Sequence, residues 1–390
     1  MYHVMKTYVH TGDELFDWCC NITEKANSLE NAALFRMRNV ITAVRKEPAV
    51  WTQNEQRVMD EVTSSAILHH KQIPDKDHFF LSYTLLDKVF RDTDSPDFFA
   101  DGLPRQSAQQ AIKRVRHRMK GFFAAKRRYH VHPEEFTGEP RLPHYHKSGG
   151  RCTAILTNED CVVYHDSGRW TVKLPLTKTR LHIGEQAGKL KQAEVKPTHG
   201  IFMIVLIFDD GMPEPAFKSD RPRRIAAMDI GVDNLAAVTS NTGNPGLIIR
   251  GGAAKALNQL YNKRTAAIRS QQAKGGTKKF VSTAESRALD LERETKMYDI
   301  MHKSAAMIMN WLEDNDIDTF VCGCNRGWKT GSDMDKRNNQ NFVQIPFSML
   351  AKILEYRCVR EGIRFVRQEE SYTSRASYPD NDPIPVYRKD

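Results

Sequence analysis

The chain contains 390 residues, of which 40% are hydrophobic and 27% are charged. This composition supports two or three folded domains and excludes a chain that is disordered throughout. The formal net charge is +10 and the isoelectric point is about 9.2. Such a balance suits a polyanionic partner, because lysine and arginine gain free energy by displacing counterions from phosphates. On charge alone, a basic protein without a nucleic-acid partner remains the alternative.

The cysteine pattern and the absence of long apolar runs indicate in which cellular compartment the protein is expected. The chain has 7 cysteines, and no two of them have the C-x-x-C spacing of a zinc ribbon. An odd number at irregular spacings is typical of a reducing environment. The N-terminal segment is polar, and no apolar run approaches the length of a membrane span. We therefore expect a soluble, cytoplasmic protein.

The first third of the chain is predicted to be one strand followed by a helical block. Residues 1–12 have the pattern of a short strand, and residues 13–135 are predicted to form a helical domain. Pro, Asp and Gly separate the segments in which apolar residues recur at helical spacing. Those segments are 13–46, 54–70, 78–92 and 105–130.

Near Pro140 the pattern changes to short runs of alternating polar and apolar residues. Turn signals between these runs indicate antiparallel pairing, so we predict a β-barrel or sandwich over residues 136–210. Residues 211–224 have the composition of a linker. The predicted strands are 151–157, 161–165, 170–175, 179–184, 191–200 and 201–210.

Residues 225–390 are predicted to form an α/β domain. Three strands come first, and helices and strands then alternate, which is the element order of an RNase H-like fold. With the preceding segments this makes an α+β multidomain protein. The predicted strands are 225–229, 235–239, 247–250, 318–324 and 363–369, and the predicted helices lie within 252–313 and 348–361.

Acidic residues are predicted at the ends of two strands in this α/β segment. Asp229 ends the first strand and is followed by Gly231, whereas Glu369 and Glu370 end the last strand. Carboxylates suit Mg²⁺, a hard cation that prefers oxygen ligands, and two such ions can activate water against a phosphodiester. The alternatives are a turn-capping role for Asp229 and a solvated strand end for the two glutamates.

Two basic segments are candidate nucleic-acid contacts. On the predicted helix 105–130, apolar residues share one face and cations cover the rest, which is typical of a phosphate track or of a solvated surface. The loop after residue 324 is rich in amides and cations and contains a tryptophan that can stack on a base, or it packs on its own domain. The candidates are Lys113, Arg114, Arg116, Arg118, Lys120, Lys126, Arg127, Arg128, Tyr129, Lys147, Asn325, Arg326, Trp328, Lys329, Lys336, Arg337, Asn338, Asn339, Gln340 and Gln344.

Five motifs in the second half of the chain resemble those of the TnpB proteins of insertion sequences: DIGVDNLAAV, GWK, KRNNQNFVQIPFSML, QEESYTS and DNDPIPVY. TnpB proteins are RNA-guided nucleases related to type V CRISPR effectors. The resemblance extends over nearly the whole chain. It implies a helical recognition lobe, a wedge β-barrel that includes the first strand, and a C-terminal RuvC domain with an RNase H fold. The implied partners are a guide RNA derived from the transposon end and a double-stranded DNA target with a short adjacent motif.

The sequence departs from the three-acid RuvC pattern that this resemblance implies. Asp229 matches the first acid, and the strand that carries the second acid in many relatives contains none here, so Glu369 or Glu370 is the candidate substitute. Asp380 and Asp382 are expected in a loop, and the third acid and the zinc ribbon have no counterpart before Asp390. We therefore expect weak Mg²⁺ binding at Asp229, no zinc, and a C-terminally truncated, nuclease-dead repressor.

Three functions stay open at this point. The first is a repressor that occupies promoter DNA directed by its guide RNA. The second is an active, Mg²⁺-dependent, RNA-guided DNA endonuclease of an insertion sequence. The third is a truncated transposon relic without function.

Overall fold

A computed structural model describes residues 1–183, 188–276, 279–324, 344–370, 380 and 382–383. The chain divides into two compact units, Met1–Met212 and Pro213–Asp390, so the division falls within the predicted linker. Within the described residues, every helix is too short or too polar to cross a membrane. The mixture of helices and sheets agrees with the predicted α+β class.

Among its described residues, the first unit contains four α-helices, in the segments where apolar spacing predicts them. Local caps explain two of the starts: Thr52 and Glu55 form a reciprocal capping box, and the Ser82 side chain accepts a hydrogen bond from the backbone N–H of Leu85. The helices are α1 (Phe16–Ala43), α2 (Gln53–Leu68), α3 (Tyr83–Asp92) and α4 (Arg105–Val131).

The seven strands that the structure describes in the first unit form two separate sheets. The strands are β1 (Tyr2–Val9), β2 (Ala154–Thr157), β3 (Val162–Asp166), β4 (Arg169–Lys173), β5 (Arg180–His182), β6 (Lys189–Thr198) and β7 (Ile201–Asp209). An antiparallel sheet has the order β1-β7-β6-β2, and a second has the order β3-β4-β5. The described strands do not form the closed barrel that the resemblance implies, because β1 and β2 are both edge strands of the larger sheet. A hydrophobic core shared by helices and sheets includes the buried Phe202 and Phe208.

The second unit is built on one mixed sheet with the order β10-β9-β8-β11-β12. Strands β8, β11 and β12 are parallel to one another, and β9 and β10 are antiparallel to their neighbours. The strands are β8 (Ile225–Asp229), β9 (Asn234–Ser240), β10 (Leu247–Arg250), β11 (Thr319–Gly323) and β12 (Arg364–Gln368). The helices are α5 (Gly252–Lys274), α6 (Ala284–Asp314) and α7 (Phe347–Arg360).

This sheet brings the ends of three strands to one edge. Residues such as Met228 and Phe320 on one face are buried in a core that includes residues of α6 and α7. In the parallel register, Cys322 lies beside Met228, and Gly323 lies beside Gln368. The residues that follow these positions therefore meet at the carboxyl edge of the sheet.

Candidate functional site

Asp229 lies at the carboxyl edge of β8 and on the face of the sheet opposite the core. The strand alternates, so that Ala226 and Met228 are buried while Ala227 and Asp229 are exposed. Directly after the strand, the Gly231 N–H donates to the carbonyl oxygen of Asn234 at 2.9 Å. The Asp229 carboxylate therefore lies at the carboxyl end of β8, on the exposed face of the sheet.

Glu370 reaches the same edge from the neighbouring strand, over Gly323. A Cβ placed on Gly323 would lie 1.3 Å from Oε1 and 1.9 Å from Cδ of Glu370. No two such atoms can approach so closely, so the Glu370 carboxyl group occupies the volume that a side chain at position 323 would need. Glycine at the end of β11 is therefore what admits this carboxyl group.

The carboxyl edge of the sheet carries three acids, Asp229, Glu369 and Glu370. Burial, together with the negative charges of Asp229 and Glu369, raises the pKa of Glu370 to about 6. Glu370 is half-buried, whereas Asp229 and Glu369 are exposed. A cation at this edge would relieve the repulsion that disfavours the ionised form of Glu370.

The acids border a cleft of about 670 Å³ on the open face of the sheet. Its floor is apolar and includes Ala227, Ala237, Ile248 and Val321. Among these, Ile248 is 61% exposed. The cleft therefore combines an acidic rim with an apolar floor, and it includes the carboxyl ends of β8, β11 and β12.

Asp229 and Glu370 supply the oxygen ligands that Mg²⁺ prefers. Within the described parts of the chain, only two groups of three metal-capable side chains have ligand atoms within 4.8 Å of one another, and both lie in the first unit. The acids of the cleft do not form such a group. They fit a single Mg²⁺ completed by other oxygen atoms better than a closed cage of protein ligands.

The first of those two groups, Glu30 with His146 and Cys152, is an ion-pair network rather than a metal site. The buried Glu30 carboxylate lies 3.1 Å from Arg114 Nη1, 2.9 Å from Arg118 Nη1 and 2.7 Å from His146 Nε2. Two guanidinium groups already neutralise it, so a further cation would be repelled. Burial also raises the pKa of the Cys152 thiol to about 12, which removes the thiolate that a metal needs.

Several predicted phosphate-binding cations of α4 are bound within the first unit. Arg114 also donates to the carbonyl oxygen of Thr153, and Arg118 donates to the carbonyl oxygen of His144 at 3.0 Å. Together with the Glu30 contacts, these bonds hold α4 against α1 and the segment before β2. The guanidinium groups of Arg114 and Arg118 therefore stabilise the fold of the first unit through these contacts.

Other residues of α4 have partners near the surface. Lys126 pairs with Glu139 at 3.3 Å, and Arg128 donates to Glu135 at 3.0 Å. Arg116 lies over the Phe80 ring and Lys113 over the Tyr83 ring, and Tyr129 packs edge-on against Phe136. The candidates with exposed side chains are Lys113, Lys120, Arg127, Arg128 and Lys147.

The amide-rich loop contributes one described residue. Gln344 exchanges two hydrogen bonds with Asn262 at 3.0 Å each, and its carbonyl oxygen accepts from Arg293 at 2.9 Å. Its amide is thus bound to α5 within the second unit. The predicted residues that lie outside the described residues are Asn325, Arg326, Trp328, Lys329, Lys336, Arg337, Asn338, Asn339 and Gln340.

Comparison with known proteins gives a family match over part of the chain and a match in fold. Residues 213–328 match the family model OrfB_IS605, described as a probable transposase. A cryo-EM structure of a Cas12f1–sgRNA–target DNA complex aligns with 93% of this chain and 77% of that chain, with a TM-score of 0.51 and 11% identity. Residues 213–328 therefore resemble the OrfB_IS605 family of probable transposases. At this identity, the structural match shows a shared fold.

A second solved structure, a CRISPR-Cas12f ternary complex, aligns with 86% of this chain and 70% of that chain at 12% identity and a TM-score of 0.30. A search among curated proteins finds no significant match.

Two structural residues of the site escape prediction from sequence. The first is Gly323 at the end of β11, which leaves room for the Glu370 carboxyl group. A glycine at a strand end, in a domain with an extra acid on the next strand, is the signal that could have found it. The second is Asn262, which follows the buried Asn258 at helical i,i+4 spacing and holds Gln344.

Proposed function

We propose that this protein binds DNA under the direction of a guide RNA, has an impaired nuclease site, and represses transcription by occupying promoter DNA. The resemblance of the sequence motifs to TnpB proteins, with the family match over residues 213–328, supports the RNA-guided part. The Cas12f1 complex that shares the fold contains an sgRNA and a target DNA, and we infer the same two classes of partner for this chain. The observation that carries the impaired nuclease is that, among the described residues, Asp229, Glu369 and Glu370 do not bring three ligand atoms within 4.8 Å of one another.

The physical argument concerns the repulsion between two metal ions. Two Mg²⁺ ions held a few Å apart repel each other, and a RuvC site offsets this repulsion with three carboxylates. A pair of carboxylates would hold one ion and would hold a second poorly. When bound, Mg²⁺ would supply Lewis-acid activation of water, and its loss would lower the cleavage rate by orders of magnitude.

Nucleic-acid binding depends on other surfaces and would persist. We propose that the exposed cations Lys113, Lys120, Arg127 and Lys147 contact phosphates of the guide RNA or the target DNA. Such contacts release counterions, so the affinity should fall steeply with salt. Base pairing between guide and target would supply the sequence specificity. Zinc has no role in this proposal.

The test uses protein co-expressed with RNA from its own locus. We expect RNA to co-purify, and we expect the complex to bind a complementary duplex tightly without cutting it in Mg²⁺. A promoter–reporter assay with a matching guide should show repression that a mismatched guide abolishes. Guide-dependent cutting of the duplex at a useful rate would refute the repressor. Protein that carries no RNA and shows no preference for a target DNA would support the third function, a transposon relic without activity.

The position of Glu370 favours a second candidate, a Mg²⁺-dependent RNA-guided endonuclease. Because Gly323 admits the Glu370 carboxyl group beside Asp229, two of the three acids of an active site are present. This candidate predicts that Asp229→Ala and Glu370→Ala each abolish duplex cutting while target binding is retained. If the parent cuts and the Glu370→Ala variant cuts equally well, the assignment of Glu370 is wrong.

A further inference from the structure

The sheet β3-β4-β5 presents a polar and aromatic face opposite the face that joins the core. Val163, Val172 and Leu181 lie side by side in the register, and all three belong to or pack against the hydrophobic core of the first unit. Side chains alternate along a strand, so the neighbouring positions lie on the outward face. Those positions are Val162, Tyr164, Thr171, Lys173, Arg180 and His182.

Arg180 and Tyr164 form a stacked pair on this outward face. The guanidinium carbon of Arg180 lies 3.9 Å from the centroid of the Tyr164 ring. Asp166 holds the guanidinium in place, with Arg180 Nη1 donating to its Oδ2 at 2.7 Å. The Arg180 side chain is still 45% exposed. A planar cationic group is therefore fixed over an aromatic ring with its outer side open to solvent.

Positive charge predominates around this pair. Lys173 lies beside Arg180 in the register, and Arg169 lies opposite Asp166. Among the described residues of the three strands, Asp166 is the acid on the outward face, against three side chains of Lys and Arg. Val162 adds an apolar surface that is 49% exposed. The cations of this face can contact phosphates, and the flat, partly apolar surface beside them can contact nucleic-acid bases.

From this arrangement we infer that the outward face of β3-β4-β5 binds unpaired nucleotides of RNA. A base stacks on the Arg180–Tyr164 pair, and Lys173 and Arg169 contact the flanking phosphates. The bases of a duplex are stacked on one another, so only an unpaired base can reach this support. The Thr171 hydroxyl, beside Tyr164 in the register, can bond a ribose 2′-hydroxyl, which DNA lacks. The inference rests on the proposed guide-RNA function and assigns a subsite to it.

The experiment measures the affinity of the purified full chain for three fluorescent probes: a short oligouridine, the matching oligodeoxyuridine and a short RNA duplex. Tyr164→Leu removes the ring, and Arg180→Gln removes the planar cation. Each should weaken oligouridine binding by about tenfold while duplex binding changes little. Tyr164→Phe keeps the ring and Lys71→Ala removes an exposed cation elsewhere, so both should stay within about twofold of the parent.

Three results would overturn the inference. The first is parental oligouridine affinity in a Tyr164→Leu variant whose melting temperature shows that it is folded. The second is an equal loss of duplex and oligouridine binding, which would indicate general electrostatics. The third is equal affinity for oligouridine and oligodeoxyuridine, which would indicate displaced DNA instead of RNA. Guide-RNA co-purification is scored separately, so a failure of the proposed function is distinguishable from a failure of this subsite.

Discussion

The carboxyl group of Glu370 lies where a side chain at position 323 would lie, and glycine at position 323 is what makes this possible. Gly323 ends β11 and Glu370 follows the neighbouring parallel strand β12, and the negative charge of Asp229 contributes to the raised pKa of Glu370. One acid of the edge is thus supplied by the end of β12 instead of the end of β11.

Substituting Gly323 should therefore damage the site and the fold together. A Cβ in Gly323→Ala would overlap the Glu370 carboxyl group and force it away from Asp229, at a cost of about 1–3 kcal/mol for overpacking. Urea unfolding measures the loss, and Mg²⁺ titration measures the change at the site.

The matched control for this substitution is Gly121→Ala, in the middle of α4. A Cβ there would meet no atom within 4 Å. Alanine is the better helix former, so this variant should gain about 0.5–1 kcal/mol. Equal stability changes for the two alanine variants would contradict the close approach of Glu370 to Gly323.

A carboxylate at position 323 on β11 should be able to replace the Glu370 carboxylate beside Asp229. Glu370→Ala alone removes an oxygen ligand and frees the space above Gly323, so we expect weaker cation binding. Adding Gly323→Asp returns a carboxylate to that space and should recover at least part of the affinity. Isothermal titration with Mn²⁺ compares the two variants. A double variant that binds no better than Glu370→Ala would show that position 323 cannot serve Asp229.

Stability and cation binding should both depend on pH through Glu370. Its pKa is raised from 4.5 to about 6 in the folded state, so the folded protein holds this proton more tightly than the unfolded chain. The free energy of unfolding should therefore fall as the pH rises from about 4.5 to about 6, by at most about 1 kcal/mol for a half-exposed group. Cation binding should strengthen through the same range, because the ligand must be ionised.

Glu370→Gln should flatten this part of the pH profile, and urea unfolding at several pH values measures the effect. Glu369→Gln removes only the smallest of the three contributions to the raised pKa of Glu370, so this control should keep most of the fall between pH 4.5 and pH 6. A stability that rises through this range, with the rise lost in Glu370→Gln, would contradict a raised pKa.

The Glu30 network should be among the costliest places to remove one charge. Glu30→Gln would leave Arg114 and Arg118 without their buried carboxylate, and removal of one partner from a buried ion pair costs about 3–5 kcal/mol. Glu24→Gln is the matched control, since Glu24 pairs with Arg151 at the surface and should contribute less than about 1 kcal/mol. Thermal unfolding of both variants measures the difference, and equal melting temperatures would argue against the buried network.

The exposed cations of α4 should act on nucleic acid through charge alone. Lys120→Ala and Arg127→Ala should each reduce the slope of log affinity against log salt by about one. Lys71→Ala, on a surface that we do not assign to nucleic acid, should leave the slope unchanged. Filter binding over a salt series measures these slopes. A slope that none of the α4 variants alters would remove this helix from the proposed interface.

The sequence by itself determined the elements and the kind of chemistry. Hydrophobic periodicity is a local property, so it located α4 and β8 to within a few residues of their observed bounds. The position of Asp229 at a strand end follows from the same local pattern. The order of strands and helices after residue 225 also indicated a sheet packed against helices, because short connections restrict the possible topologies.

Only the tertiary structure decided which charged groups meet. Glu369 and Glu370 are adjacent in the chain, and the register of β12 beside β11 is what brings Glu370 over Gly323. Arg118 has the sequence pattern of a phosphate contact, yet its partner Glu30 lies 88 residues away in the chain, on α1. Pairings of this kind depend on distances between elements in space, which no local pattern of residues contains.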